Sequence, residues 1–266
     1  MKLLAFIKKD ILVALSYRFR LLLGLGSSII SLLIFYFIGR TFSGAISPFL
    51  EPYGNDFFSY VLVGIATANF VTIGLSALAD EIRSAQVEGT LEYLLATPTS
   101  IYTILIGNTL WSFISAFLSA AGILVLGAIF LHFQVSLNGA LVALLILILT
   151  FAAFLAIGML SASFVIIFKQ GNPIEYLLGW SSFFLGSVIF PVEVLPRPFQ
   201  LFAQILPITH AVRALRGLLL SESTLGEVVP SIVNLCIFIA VLVPVSGLFF
   251  RYAVTRAKRD GNLIQY

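Results

Sequence analysis

Between Ala140 and Phe168 lie 29 consecutive residues without a single charge. A helix rises about 1.5 Å per residue, so this run is more than long enough to cross the roughly 30 Å hydrocarbon core of a bilayer. Other parts of the chain share its character. The protein is 60% hydrophobic and only 10% charged, against roughly 45–50% and 25% for globular domains. That composition excludes an ordinary soluble fold.

Six such runs can be placed in order. Spans are expected at Leu21–Ile38, at Phe57–Ala79, within Ile101–Leu131, within Ala140–Phe168, at Ile174–Phe190 and at Pro230–Phe250. The third run is longer than a bilayer requires, and tilt or an extra turn outside the membrane absorbs the excess. A loop over Thr41–Asp56 carries Gly44, Pro48, Pro52 and Gly54, and a short turn around His132–Asn138 makes the third and fourth spans a tight antiparallel pair. Ahead of the first span, residues 2–19 set Lys2, Lys8, Lys9 and Arg18 against Leu4, Ile7, Ile11 and Leu15 at helical spacing. That is the pattern of an amphipathic helix lying on a membrane surface. The amino terminus lacks the small-residue cleavage site of a removable signal peptide. After the fifth span, Pro191, Pro196, Pro198 and Pro207 preclude one straight helix over 191–217 and predict short, re-entrant pieces. The expected fold is an all-α integral membrane protein, with residues 1–266 forming a single transmembrane domain.

An even number of spans puts both termini on one side, and the basic residues identify it. With the amino terminus inside, Lys2, Lys8, Lys9, Arg18, Arg20, Arg83, Lys169, Arg251, Arg256, Lys258 and Arg259 face the cytoplasm. Only Arg40, Arg197, Arg213 and Arg216 of the 15 basic residues then lie outside. The expectation is a multi-pass protein of the cytoplasmic (inner) membrane with both termini cytoplasmic. Because the basic residues sit at span ends, the net charge of +3 reports topology and implies no nucleic-acid partner.

The same orientation puts the polar interval Asp80–Ser100, DEIRSAQVEGTLEYLLATPTS, in the cytoplasm. On a helix, Glu81, Glu88 and Glu92 fall close together, while Val87, Leu91, Leu94 and Pro98 occupy an adjoining face. Gly89 is placed to break the helix and Pro98 to limit it. This is either a solvated turn with a charged face or a surface offered to another protein.

Several chemistries are missing from the sequence. It has no G-x-x-x-x-G-K-[ST] phosphate loop and no soluble region large enough for a nucleotide-binding domain. Its two histidines, His132 and His210, are far apart, and Cys236 is the single cysteine, so neither a metal site nor an intrachain disulfide is expected. A membrane-embedded enzyme would need a polar catalytic cluster at a span end. An ion- or proton-driven secondary transporter would need ionisable residues in mid-span. Both remain alternatives, but neither feature is present. His210, with no carboxylate near it in sequence, reads as a packing or capping residue rather than a proton relay.

Two stretches carry a family resemblance. Glu88-Gly89-Thr90-Leu91-Glu92, followed by Leu94-Leu95 and Thr97-Pro98, resembles the cytoplasmic coupling segment of ABC-2 type transporter permeases. Phe190-Pro191-Val192-Glu193-Val194-Leu195-Pro196, with Leu206-Pro207-Ile208-Thr209-His210-Ala211-Val212-Arg213-Ala214-Leu215-Arg216, is similar to the segment this family carries before its last span.

The resemblance implies a permease subunit without its own ATPase site, exporting an amphipathic drug, lipid or glycan. It binds no cofactor itself, because ATP and Mg belong to a separate ATP-binding cassette ATPase subunit. It pairs with a second copy or a related permease chain, within membrane lipid. Glu81, Glu88, Gly89, Thr90, Leu91, Glu92, Leu94 and Pro98 would couple to the ATPase. Asn69, Phe70 and Thr72 on the second span, with Phe183, Phe184 and Ser187 on the fifth, would line the pathway. Pro191, Glu193, Pro207, His210, Arg213 and Arg216 would belong to an outer gate. A charge at the bilayer centre costs roughly 2.5–3.5 kcal/mol, so Glu193 is expected to pair with Arg213 or Arg216. The alternative is that all three snorkel to the outer interface.

Overall fold

A computed structural model describes residues 12, 16, 18–50, 56–89, 101–131, 139–168, 173–221 and 224–259. Its elements in order are helices α1 (Arg18–Leu50), α2 (Phe57–Val87), α3 (Ile101–Leu131), α4 (Ala140–Phe168) and α5 (Pro173–Leu185), then a 3-10 turn (Val192–Val194), α6 (Arg197–Ile205), α7 (Pro207–Leu220) and α8 (Leu225–Arg259). Among the described residues, four stretches are long and apolar enough to cross a membrane: Phe57–Val87, Thr109–Ile129, Ala140–Phe168 and Leu225–Ala257. The apolar part of α1, Gly26–Thr41, is shorter.

The helix ends depart from expectation for identifiable reasons. The loop after the first span begins later than Thr41, because α1 continues past Gly44 and Pro48 to Leu50. Leu50 is buried in a cluster with Phe57, Tyr60 and Val61, and this anchoring at the helix end outweighs the backbone donor that Pro48 lacks. Asp56 starts α2 as its N-cap, its carboxylate accepting from the backbone N–H of Phe58 (3.3 Å) and Ser59 (3.0 Å). Rather than stopping near Ala79, α2 runs on through the polar residues to Val87, because Ile82, Ala85 and Gln86 are buried and nothing breaks the helix before Gly89. The fifth span, expected to reach Phe190, ends at Leu185. Its 13 residues span only about 20 Å. Gly186, then Ser187 with φ 62°, then Pro191 terminate it. The prolines beyond act as the sequence predicts: Pro198 and Pro207 each stand in the first turn of a short helix. The expected surface helix over 2–19 lies almost entirely outside the described residues, as do the turn at 132–138 and the residues at 169–172.

α2 and α4 form the centre of the bundle. α2 packs along α3 and α4, α8 lies along α4, and α7 is wedged among α2, α4 and α8. The apolar window of α2 is 67% buried by protein while that of α8 is 17% buried, so α2 is a core helix and α8 a peripheral one. Lipid tails are as apolar as leucine, so close packing rather than water exclusion holds such helices together. Phe70, Phe113 and Phe151 interlock edge to face at centroid distances of 5.1–5.8 Å. At the α2–α4 crossing a Cβ on Gly158 would lie 2.6 Å from the Leu75 carbonyl oxygen; only glycine permits that approach.

Candidate functional site

Polar residues gather at three places along α2. At its carboxy-terminal end, Asp80, Arg83 and Glu88 are exposed and Glu81 is half-buried. The Ser84 hydroxyl donates to Glu88 Oε1 at 3.0 Å, the Glu88 amide donates to the Ser84 carbonyl at 2.9 Å, and Gly89 takes φ 68°. Val87 is 68% exposed. Gln86 is buried, and its Oε1 finds no hydrogen-bond partner. Thr90, Leu91, Glu92, Leu94 and Pro98 lie outside the described residues.

In mid-helix an open cleft of about 280 Å³ is bounded by α1, α2, α3 and α5. Asn69 and Thr72 line it from α2 and Phe183 from α5, beside Ser27, Ser28 and Ser31 from α1 and the apolar Leu32, Ile65, Ala68 and Ile123. Three of the six pathway residues expected from the sequence therefore meet here. The others are placed elsewhere. Phe70 is fully buried in the aromatic core. Phe184 is 51% exposed and stacks on Trp180. Ser187 is buried at the third place. The α1 serines were missed, although three hydroxyls within five residues of an apolar span are a readable signal.

The third place is built around Arg216, only 1% exposed. Its guanidinium donates to the carbonyls of Tyr60 (Nε, 3.0 Å), Ser187 (Nη1, 2.5 Å) and Val188 (Nη2, 2.8 Å), and to Ser187 Oγ at 3.2 Å. Its carbon lies 3.3 Å from the centroid of the Tyr60 ring, a cation–π contact. The Tyr60 hydroxyl lies 2.8 Å from Ser187 Oγ. The Ser187 and Val188 carbonyls, just past the end of α5, have no helical partner of their own, and the negative end of that helix's dipole lies close by, so a buried arginine there answers both. A Cβ on Gly64 would fall 2.1 Å from the Val188 carbonyl oxygen and 2.6 Å from Arg216 Nη2. The glycine thus makes room for a joint that ties α2, the break after α5 and α7 together.

Glu193 does meet Arg213, at 3.9 Å, with side chains 60% and 48% exposed. That is a long and open pair of small energetic value. Pro191 and Pro207 are buried at the starts of the 3-10 turn and α7. His210 is largely buried; Nε2 lies 2.9 Å from the Gln204 carbonyl and Nδ1 lies 3.2 Å from the Asn234 amide. In the neutral Nε2–H tautomer both contacts are satisfied, which is a fastening role between α6, α7 and α8. Among the described residues no group of three metal-ligating side chains occurs.

A family model described as ABC-2 family transporter protein matches residues 46–248. The chain is also similar to Nodulation protein J of Rhizobium leguminosarum bv. trifolii, 30% identical over 198 residues covering 71% of each chain. Nodulation protein J of Rhizobium leguminosarum bv. viciae is 26% identical over 206 residues, 76% of this chain and 78% of that one. The same-named protein of Rhizobium meliloti (strain 1021) is 27% identical over 171 residues, 64% of each.

Proposed function

The chain belongs to the ABC-2 transporter family, whose members are membrane subunits of ABC transporters, and from that premise we propose that it is the permease subunit of an exporter. It moves an amphipathic substrate outward across the cytoplasmic membrane, and ATP is hydrolysed on a separate cassette subunit. The observation that carries this reading is the continuity of α2, 31 residues without a break. One rod passes the Arg216 joint at Tyr60, the cleft at Asn69 and Thr72, and ends at Glu88 and Gly89. At about 1.5 Å per residue, the exposed end stands about 29 Å from Asn69, and Asn69 about 14 Å from Tyr60.

In this mechanism the ATPase subunits close on ATP and displace the Glu81–Glu88 end of α2 together with the segment that follows. A helix this well packed moves as a body, so the displacement reaches the cleft and opens it to the other side. The work comes from the different affinity of the ATPase for the two arrangements. Six spans, both termini in the cytoplasm, a surface helix before α1, and α6 and α7 dipping in from the outer side complete the proposal, with a second permease chain closing the pathway. The basic-residue asymmetry supports this orientation.

The test is reconstitution with and without the cassette subunit in proteoliposomes. Hydrolysis and cargo movement are both expected only with the two subunits together. Cargo movement by the permease chain without a nucleotide-hydrolysing partner would contradict the proposal.

A further inference from the structure

The mid-helix cleft is uncharged, and acceptors predominate among its polar groups. The hydroxyls of Ser27 and Ser28 each donate to the Gly24 carbonyl at 2.9 Å, and that of Thr72 donates to the Ala68 carbonyl at 2.9 Å. The Asn69 amide donates to Ser119 Oγ at 3.1 Å. Three of the four hydroxyls lining the cleft thus spend their protons inside the protein and offer lone pairs, while Ser31 and the second N–H of Asn69 remain able to donate. None of the described residues lining the cleft is charged. An ion entering it would give up water without meeting a counter-charge.

We infer that the cleft selects an uncharged head group bearing O–H or N–H donors, carried on an apolar chain that follows Ile65, Ile123 and Phe183. Its volume of about 280 Å³ lies at the lower edge of the roughly 300–1,000 Å³ of small-molecule sites. It accommodates a head group, not a whole amphiphile. Anions are disfavoured by the missing counter-charge and by the predominance of acceptors among the lining groups. The inference rests on the pathway reading but concerns binding alone.

The test uses the full chain in lipid nanodiscs without any ATPase, so a failure of ATP coupling leaves its outcome untouched. A photoreactive N-acyl ethanolamine is competed with three probes of one chain length: the N-acyl ethanolamine, its N-methyl, O-methyl analogue, and the alkyl sulfonate. The donor-bearing probe is expected to compete about tenfold better than the other two, a difference worth one decade in the dissociation constant. Labelling should map to α1 and α2. In the Thr72→Val/Asn69→Leu protein the preference should fall below about threefold, and Ser28→Ala alone should lower it by a smaller factor in the same direction. Equal competition by all three probes, tighter binding of the sulfonate, or a preference that survives in both variants would overturn the inference.

Discussion

The two ends of α2 are built on opposite principles. Around Tyr60 and Gly64 the helix is buried, and Arg216 bonds it to the break after α5. Around Asp80–Gly89 the charged side chains reach solvent, and the hydrogen bonds described there join residues within four positions of one another. One end is fixed to its neighbours through long-range bonds; the other is held mainly by the buried faces of Ile82, Ala85 and Gln86. The difference separates stability from coupling. Substitutions at the joint should cost folding, and those at the exposed end should cost function while leaving the fold alone.

The largest effect is expected from Arg216→Ala. It leaves the buried Ser187 and Val188 carbonyls without the guanidinium donor they have now, at roughly 1–3 kcal/mol for each buried group left unsatisfied. The Tyr60 carbonyl lies within helix α2 and loses only its second donor. Thermal unfolding followed by size-exclusion fluorescence should show a large loss of folded protein. Arg216→Lys should rescue little, because an ammonium cannot reproduce the planar fork that reaches Tyr60, Ser187 and Val188 together. Full stability in Arg216→Ala would break the contrast at its strong end. Gly64→Ala follows, with an expected loss of about 1–3 kcal/mol from the forced separation of α2 and the Val188 carbonyl. Tyr60→Phe keeps the ring under the guanidinium and removes only the hydroxyl contact to Ser187, so about 1 kcal/mol is expected in the same assay.

The outer pair should matter less. A double-mutant cycle on Glu193→Ala and Arg213→Ala should give a coupling energy of about 0–0.5 kcal/mol, as for exposed ion pairs generally. A coupling of several times that size would mean that the two side chains are drawn together and desolvated in the membrane.

Much of this architecture can be read from the letters. The run Ala140–Phe168, within which the fourth span is expected, is one unbroken helix, because 29 residues without a charge or a proline offer nothing to interrupt it. Pro196, Pro198 and Pro207 announce where the chain after α5 must break, since ring geometry is local. The environment of an arginine is not local. Arg213 and Arg216 look alike in sequence, three residues apart on one helix, yet one reaches solvent and the other lies inside the bundle. What separates them is the backbone of two distant elements, and the left-handed Ser187 that presents its carbonyl leaves no compositional trace. The cleft shows the same limit. Asn69, Thr72 and Phe183 can be selected by span and chemistry, but Phe70 and Phe184 differ from Phe183 only in the direction their helices turn them. Glycines look alike in sequence as well: Gly24, Gly26 and Gly122 meet nothing within 4 Å, whereas Gly64 and Gly158 sit where a neighbouring backbone carbonyl comes too close for any Cβ.

The most direct test of α2 as the transmitting rod is the ratio of cargo moved to ATP hydrolysed in the reconstituted complex carrying Glu88→Arg. The exposed site predicts a stability change within about 0.5 kcal/mol, and the mechanism predicts that the ratio falls toward zero while hydrolysis continues. A ratio equal to that of the unaltered complex, in protein that folds normally, would contradict it.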